Sequence, residues 1–101
     1  MPYGLSDQTF SSILSVIKSN PAIDSAILFG SRAKGTYKDG SDIDIALHGS
    51  SLRLNDILQL QRLIDESDLA YTFDLVIFKN IQEQALIEHI QRVGIEIYRK
   101  E

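Results

Sequence analysis

Cysteine is absent from the 101 residues. Disulfides and thiolate metal sites are therefore excluded, and the cytoplasm is the expected location. Histidine is scarce: His48 and His89 stand far apart, with no H-x-x-x-H spacing. Each reads as a surface or helix-end residue rather than a metal ligand. No Ser-His-Asp constellation is suggested, which argues against nucleophilic hydrolysis. No basic-then-apolar leader opens the chain, and no apolar run approaches the ~18 residues of a membrane span. The expectation is a soluble, unsecreted protein with no membrane partner. Positive charge is also thin. Lys and Arg number 10 against 14 Asp and Glu, a net charge of −4, and they do not cluster. Stable binding to a long nucleic acid is thereby disfavoured. Linkers, repeats and low-complexity segments are missing too. The chain reads as a single domain over residues 1–101, and 44% hydrophobic residues suffice for a small core.

What is present centres on residues 29–47, FGSRAKGTYKDGSDIDIAL. Side chains alternate faces along a strand. Asp42, Asp44 and Ala46 then share one face, and Ile43, Ile45 and Leu47 the other. The isoleucine face suits a core. The aspartate face sets two carboxylates about 7 Å apart at Cα, and such a pair repels itself unless a cation intervenes. Hard oxygen donors at this spacing suit Mg²⁺, completed by phosphates and water. Upstream, Gly30 and Ser31 close an apolar run. Glycine lets backbone approach a phosphate, N–H groups at a helix start attract anions, and Arg32 and Lys34 add positive charge. Phosphate on one side and carboxylates on the other describe a nucleoside triphosphate site, ATP or another. Tyr37 reads equally as a nucleotide contact or as packing, Lys38 as solvated, and Asp39 as a turn residue.

The remaining segments alternate helix and strand, the pattern of an α/β layer fold. A helix is expected over Leu5–Asn20, N-capped by Ser6, with Phe10, Ile13, Leu14 and Ile17 as its buried stripe. A strand follows at Ala22–Phe29, with Ile23, Ile27 and Phe29 on one face. A short helix spans Ser31 to about Tyr37, and the strand Asp42–Leu47 comes after a Lys38–Ser41 turn. The helix Leu54–Glu66 carries Leu54, Ile57, Leu58 and Ile64, widened by Leu60 and Leu63. The third strand, Tyr71–Phe78, holds Asp74 on the face of Thr72, Val76 and Phe78. A carboxylate buried in an apolar strand needs a partner, and a metal at Asp42 and Asp44 would supply one. Asn80 is expected to cap the last helix with Glu83 in a capping box. Leu86, Ile90 and Val93 form its stripe, and Gly94 is its C′ residue. Ile95–Tyr98 reads as an edge strand.

The Gly30–Ser31 pair, Arg32 and Gly35, then Asp42-x-Asp44 after a short connector, resemble the DNA polymerase β-like nucleotidyltransferase superfamily, and within it the minimal MNT-domain branch. The resemblance implies a single-domain nucleotidyltransferase fold, a mixed β-sheet with helices packed mainly on one face. It implies a nucleotidyltransferase that moves a nucleoside monophosphate, AMP from ATP, to a hydroxyl with two Mg²⁺ ions. Asp42, Asp44 and Asp74 would be the catalytic, metal-holding carboxylates; Gly30, Ser31, Arg32 and Lys34 would bind nucleotide. Larger members carry an acceptor-binding domain for which this chain has no residues to spare. The minimal branch pairs instead with small helical HEPN-domain proteins as toxin–antitoxin modules, with a partner tyrosine as acceptor. A homodimer, a contact-only antitoxin, and transfer to a small molecule such as an aminoglycoside are the alternatives.

Overall fold

The computed structural model describes residues 2–101. Helix α1 (Asp7–Lys18) starts where Ser6 accepts a hydrogen bond from the Thr9 N–H at 3.1 Å. Asp7 in its first turn and Lys18 in its last complement the helix dipole. Ile13, Val16 and Ile17 form its buried face, with Phe10 packed alongside; Val16, not Leu14, completes the stripe. The helix stops short of Asn20 because Asn20 organises a turn. Its Oδ1 accepts the Ala22 N–H at 2.9 Å, and its Nδ2 donates to Asp56 Oδ1 at 2.9 Å. That turn removes Ala22 and Ile23 from the strand. Strand β1 spans Ser25–Phe29, and Ile23 drops into the main core, away from the face of Ile27 and Phe29.

Helix α2 (Gly30–Lys34) follows β1 without a break; β2 is Ile43–His48, α3 is Leu54–Glu66 and β3 is Phe73–Ile77. Helix α4 (Gln84–Val93) and β4 (Ile95–Arg99) end the order. The sheet runs β3-β2-β1-β4. β1 pairs antiparallel with β2 and β4, and β2 pairs parallel with β3, so the sheet is mixed. Parallel pairing needs a crossover, and α3 is that crossover.

The two sheet faces are covered unequally. Ala26, Leu28, Ile43, Ile45, Leu47, Phe73 and Ile77 point into the main core under α1 and α3. The other face holds a small cluster of Phe29, Ala46 and Ile90, with Ile27, Val76, Phe78, Ile81 and Leu86 against it. Helix α4 and the segment of Phe78 and Ile81 that precedes it pack on that face. Two details of α4 differ from expectation. Its N-cap is Glu83, not Asn80. Asn80 instead closes a 3-10 turn, Phe78–Asn80, because Phe78 and Ile81 must both reach the second cluster before the helix begins. Gly94 ends the helix in extended conformation, φ −62° and ψ 144°. A Cβ there would run into the Ile90 carbonyl and Ile27 Cγ2, so Gly94 permits close packing of α4 on β1 rather than a left-handed cap.

Helix α3 buries Leu60 and Ile64, with Ile57 and Leu63 partly buried. Leu54 and Leu58 are 68% and 54% exposed, and do not join the stripe. With Leu60 against the sheet, Leu58 lies about 200° round the helix and faces outward. Among the described residues no helix is long and apolar enough to cross a membrane.

Candidate active site

The turn from β1 into α2 is built on Gly30. Phe29 is still extended; Gly30 turns the chain at φ 74°, a conformation that costs glycine little. Glycine is required for a second reason. A Cβ at this position would collide with Asp44 Oδ2, so the carboxylate sits directly against the turn. The N–H groups of a helix's first turn have no partner within the helix. Ser31 begins that turn beside Asp44. Gly35, at φ 86°, ends α2, and its N–H and that of Thr36 both return to the Ser31 carbonyl. Lys34 is exposed on the last turn.

Strand register supplies the acidic half. Asp44 lies opposite Phe29 on β1 and opposite Asp74 on β3. Residues paired this way share a face, and Asp42, just ahead of β2 rather than in it, is near enough to repel the Asp44 carboxylate. Asp44 is half-buried, while Asp42 and Asp74 are exposed. Asp74 is therefore not buried as its apolar strand suggested; β3 is an edge strand. Burial raises the Asp44 carboxyl from 3.8 to about 6, with Asp74 and then Asp42 adding repulsion. The ion pair among the described residues, Glu96–Arg99, is on β4, at the opposite edge of the sheet from β3. Among the described residues no cation pairs with the cluster.

These observations test the fit of a metal. Among the described residues no group of three or more His, Asp or Glu side chains is placed to hold a metal ion by itself. Mg²⁺ does not need one, since it keeps several waters and takes one or two carboxylates plus phosphate oxygens. An open, mutually repelling set of carboxylates beside a helix start suits such an ion.

Arg32 departs from the expected phosphate contact. It is 3% exposed. Its Nε and one terminal nitrogen donate to the Ser41 carbonyl at 3.2 and 2.9 Å, and the other donates to the Tyr3 carbonyl at 2.9 Å. Its guanidinium lies over the Tyr37 and Tyr71 rings, 5.3 and 5.0 Å from their centroids. The side chain clamps the connector that delivers Asp42, and is fully engaged in doing so. Tyr37 is thereby a packing residue, held against Arg32 and Gly4. Lys38 and Asp39 are exposed in the turn.

His89 was missed by sequence reasoning. It is not a free surface residue: its Nε2 accepts the Gly30 N–H at 3.1 Å, and its ring meets Phe29 edge-on. The available signal was helical spacing, since His89 lies three residues after Leu86 and adjoins Ile90 on the sheet-facing flank. His48 stacks on Phe78, centroids 4.5 Å apart.

Residues 11–101 match the family described as Polymerase beta, Nucleotidyltransferase. No curated protein matches the chain. Among solved structures, a toxin–antitoxin complex with AMP-PNP is similar, at 26% identity over 91% of this chain and 74% of that one, with a TM-score of 0.72. The MntA–HepT toxin–antitoxin pair gives 22% identity, 94% and 74% coverage, and a TM-score of 0.68. A tri-AMPylated Shewanella oneidensis HEPN toxin with its MNT antitoxin gives 22%, 90%, 70% and 0.65. At 22% identity the last two bear on the fold alone.

Proposed function

The chain belongs to the polymerase beta nucleotidyltransferase family, and from that premise we propose that it transfers AMP from ATP to a hydroxyl of a partner protein, a tyrosine of a HEPN-type toxin, and so acts as the antitoxin of a cytoplasmic pair. The observation that carries the reading is the register of Asp44 with both Asp74 and Phe29, with Asp42 just ahead of the same strand. It gathers three carboxylates around a helix start that has N–H groups to offer.

Asp42 and Asp44 would hold divalent cation, Mg²⁺ by donor type, and Asp74 would share in holding it. Two such ions, when bound, stabilise the attacking and leaving oxygens of an in-line displacement. The chain's own groups do the rest. The Ser31 hydroxyl and the first-turn N–H groups of α2 hold the β and γ phosphates. Gly30 contributes space, because its own N–H is committed to His89. Lys34, exposed one turn on, reaches towards the same oxygens. Asp74 is exposed on an edge strand, open to an incoming hydroxyl, whose proton its carboxylate accepts. The acceptor oxygen bonds to the α phosphorus as the bond to pyrophosphate breaks. Pyrophosphate leaves from the Ser31 side.

The 26% identical neighbour, a toxin–antitoxin complex carrying AMP-PNP, supports the choice of adenine nucleotide and of a protein partner. The test is intact-mass analysis of a co-purified helical partner after incubation with ATP and Mg²⁺. Addition of one or more AMP masses is expected, lost in Asp44→Asn and with chelator. A partner mass unchanged by ATP and Mg²⁺ would refute the proposal.

A further inference from the structure

The Gly30 N–H does not face the open site; it points to α4, where His89 Nε2 accepts it. A backbone N–H only donates. In this bond the Nε2 of His89 is therefore the acceptor. The imidazole is held from two sides. Phe29 packs edge-on at 6.2 Å and 80°, a favourable aromatic geometry. Ile90, the next residue along, is 4% exposed and roots α4 in the second core. The fixed helix thus presents a fixed acceptor to a backbone turn that touches Asp44.

We propose that His89 is a positioning residue for nucleotide binding: by accepting the Gly30 N–H it locks the Gly30–Ser31 turn in the orientation that aims the start of α2 at the triphosphate. The inference rests on the nucleotidyltransferase reading above. Gly30 has left-handed φ and no side chain, so little in its own structure fixes the turn. Two constraints flank it. Asp44 blocks it on one side, and His89 ties it on the other. Remove the tie and the donor is left part-buried without a partner, free to rotate away with Ser31. His89 acts through the Gly30 turn: the nitrogen that faces it accepts the N–H and is no donor to phosphate.

Two variants separate the hydrogen bond from the bulk of the ring. His89→Phe keeps an aromatic ring against Phe29 and cannot accept. His89→Gln restores an acceptor, because its amide oxygen lies as many bonds from Cα as Nε2 does. Two readouts are taken on each: amide exchange at Gly30 in the ligand-free protein, and calorimetric affinity for AMP-PNP with Mg²⁺. His89→Phe should exchange the Gly30 amide faster and bind AMP-PNP about tenfold more weakly, the scale of one lost hydrogen bond at a part-buried donor. His89→Gln should stay within about twofold of wild type on affinity. Wild-type affinity in His89→Phe overturns the inference. So does a His89→Gln as weak as His89→Phe, which would leave only a packing role. A wild type that binds no AMP-PNP overturns the nucleotide reading and the positioning role with it; that failure shows in the unmutated protein and stands apart from failure of the variants.

Discussion

Asp44 concentrates the site's electrostatics in one side chain. Its carboxyl is raised from 3.8 to about 6 by burial, Asp74 and Asp42, in that order. A raised acid binds its proton more tightly folded than unfolded. Between about pH 4 and 6 the folded state therefore keeps a proton that the unfolded chain has lost. Stability falls as pH rises through that window and stays lower above it. Two pH units correspond to roughly 3 kcal/mol, and partial exposure screens this to about 1 kcal/mol. Metal-free Asp44→Asn is expected to melt several degrees above wild type at pH 8 and level with it below pH ~4, where both side chains are neutral. Thermal unfolding in chelator checks this. A variant that melts below wild type at pH 8 would make Asp44 a structural residue. The same reasoning explains how much of the cluster was legible. Alternation placed Asp42 and Asp44 together on one strand face, and Asp74 on the face of Thr72, Val76 and Phe78 of its own strand. What alternation could not give was their unequal exposure, with Asp44 half-buried against the Gly30 turn and Asp42 and Asp74 exposed.

At the scale of elements, Arg32 joins parts distant in sequence. It lies in α2, yet it bonds the Ser41 carbonyl ahead of β2 and the Tyr3 carbonyl near the start of the described chain, and it stacks on Tyr71 ahead of β3. A planar guanidinium can do this with several donors at once; an ammonium cannot match the fork or the stacking. Arg32→Lys is accordingly expected to cost about 3 kcal/mol, leaving a buried charge poorly paired. In a domain of this size that lowers the melting temperature by roughly 10 °C or more. Urea or thermal unfolding measures it, and a loss under about 1 kcal/mol would mean the clamp is dispensable. An arginine after Gly-Ser reads in sequence as a phosphate ligand because charge is local information. Its burial is not, since Tyr3, Ser41 and Tyr71 meet it only in three dimensions. The Ala22–Phe29 strand misled in the same way: β-propensity favoured Ile23, and the Asn20 turn, tied to Asp56 across 36 positions, overrode it.

At the scale of the whole molecule, an apolar surface is left uncovered among the described residues. Leu54, Ile57, Leu75, Val76, Ile77, Ile81 and Leu86 line a cavity of about 350 Å³. Leu54 and its neighbour one turn on, Leu58, are the exposed large hydrophobics. The groove runs along edge strand β3, which also carries Asp74. A partner seated there would bring its acceptor hydroxyl to the carboxylates, which suits the proposed antitoxin role. Because Leu58 is mostly exposed, Leu58→Glu is expected to change stability by less than about 0.5 kcal/mol. It should nonetheless weaken partner binding by about tenfold or more, since a charge would replace an apolar contact. Size-exclusion chromatography and calorimetry with the co-expressed partner measure this. Unchanged affinity would move the docking surface elsewhere, and a large loss of stability would show that Leu58 packs within the fold.

The sequence by itself determined the order of elements and the two-residue alternation that parts core from carboxylates. It also determined the glycine at the β1–α2 turn, because each of these follows from local periodicity and local backbone demands. Only the tertiary structure decided that Asp74 lands beside Asp44, through the parallel register of β2 and β3. It alone turned Arg32 inward, left Leu54 and Leu58 facing out, and brought His89 to Gly30 across 59 positions. Those outcomes depend on which elements become neighbours, and a contact between distant residues has no period in the sequence that would announce it.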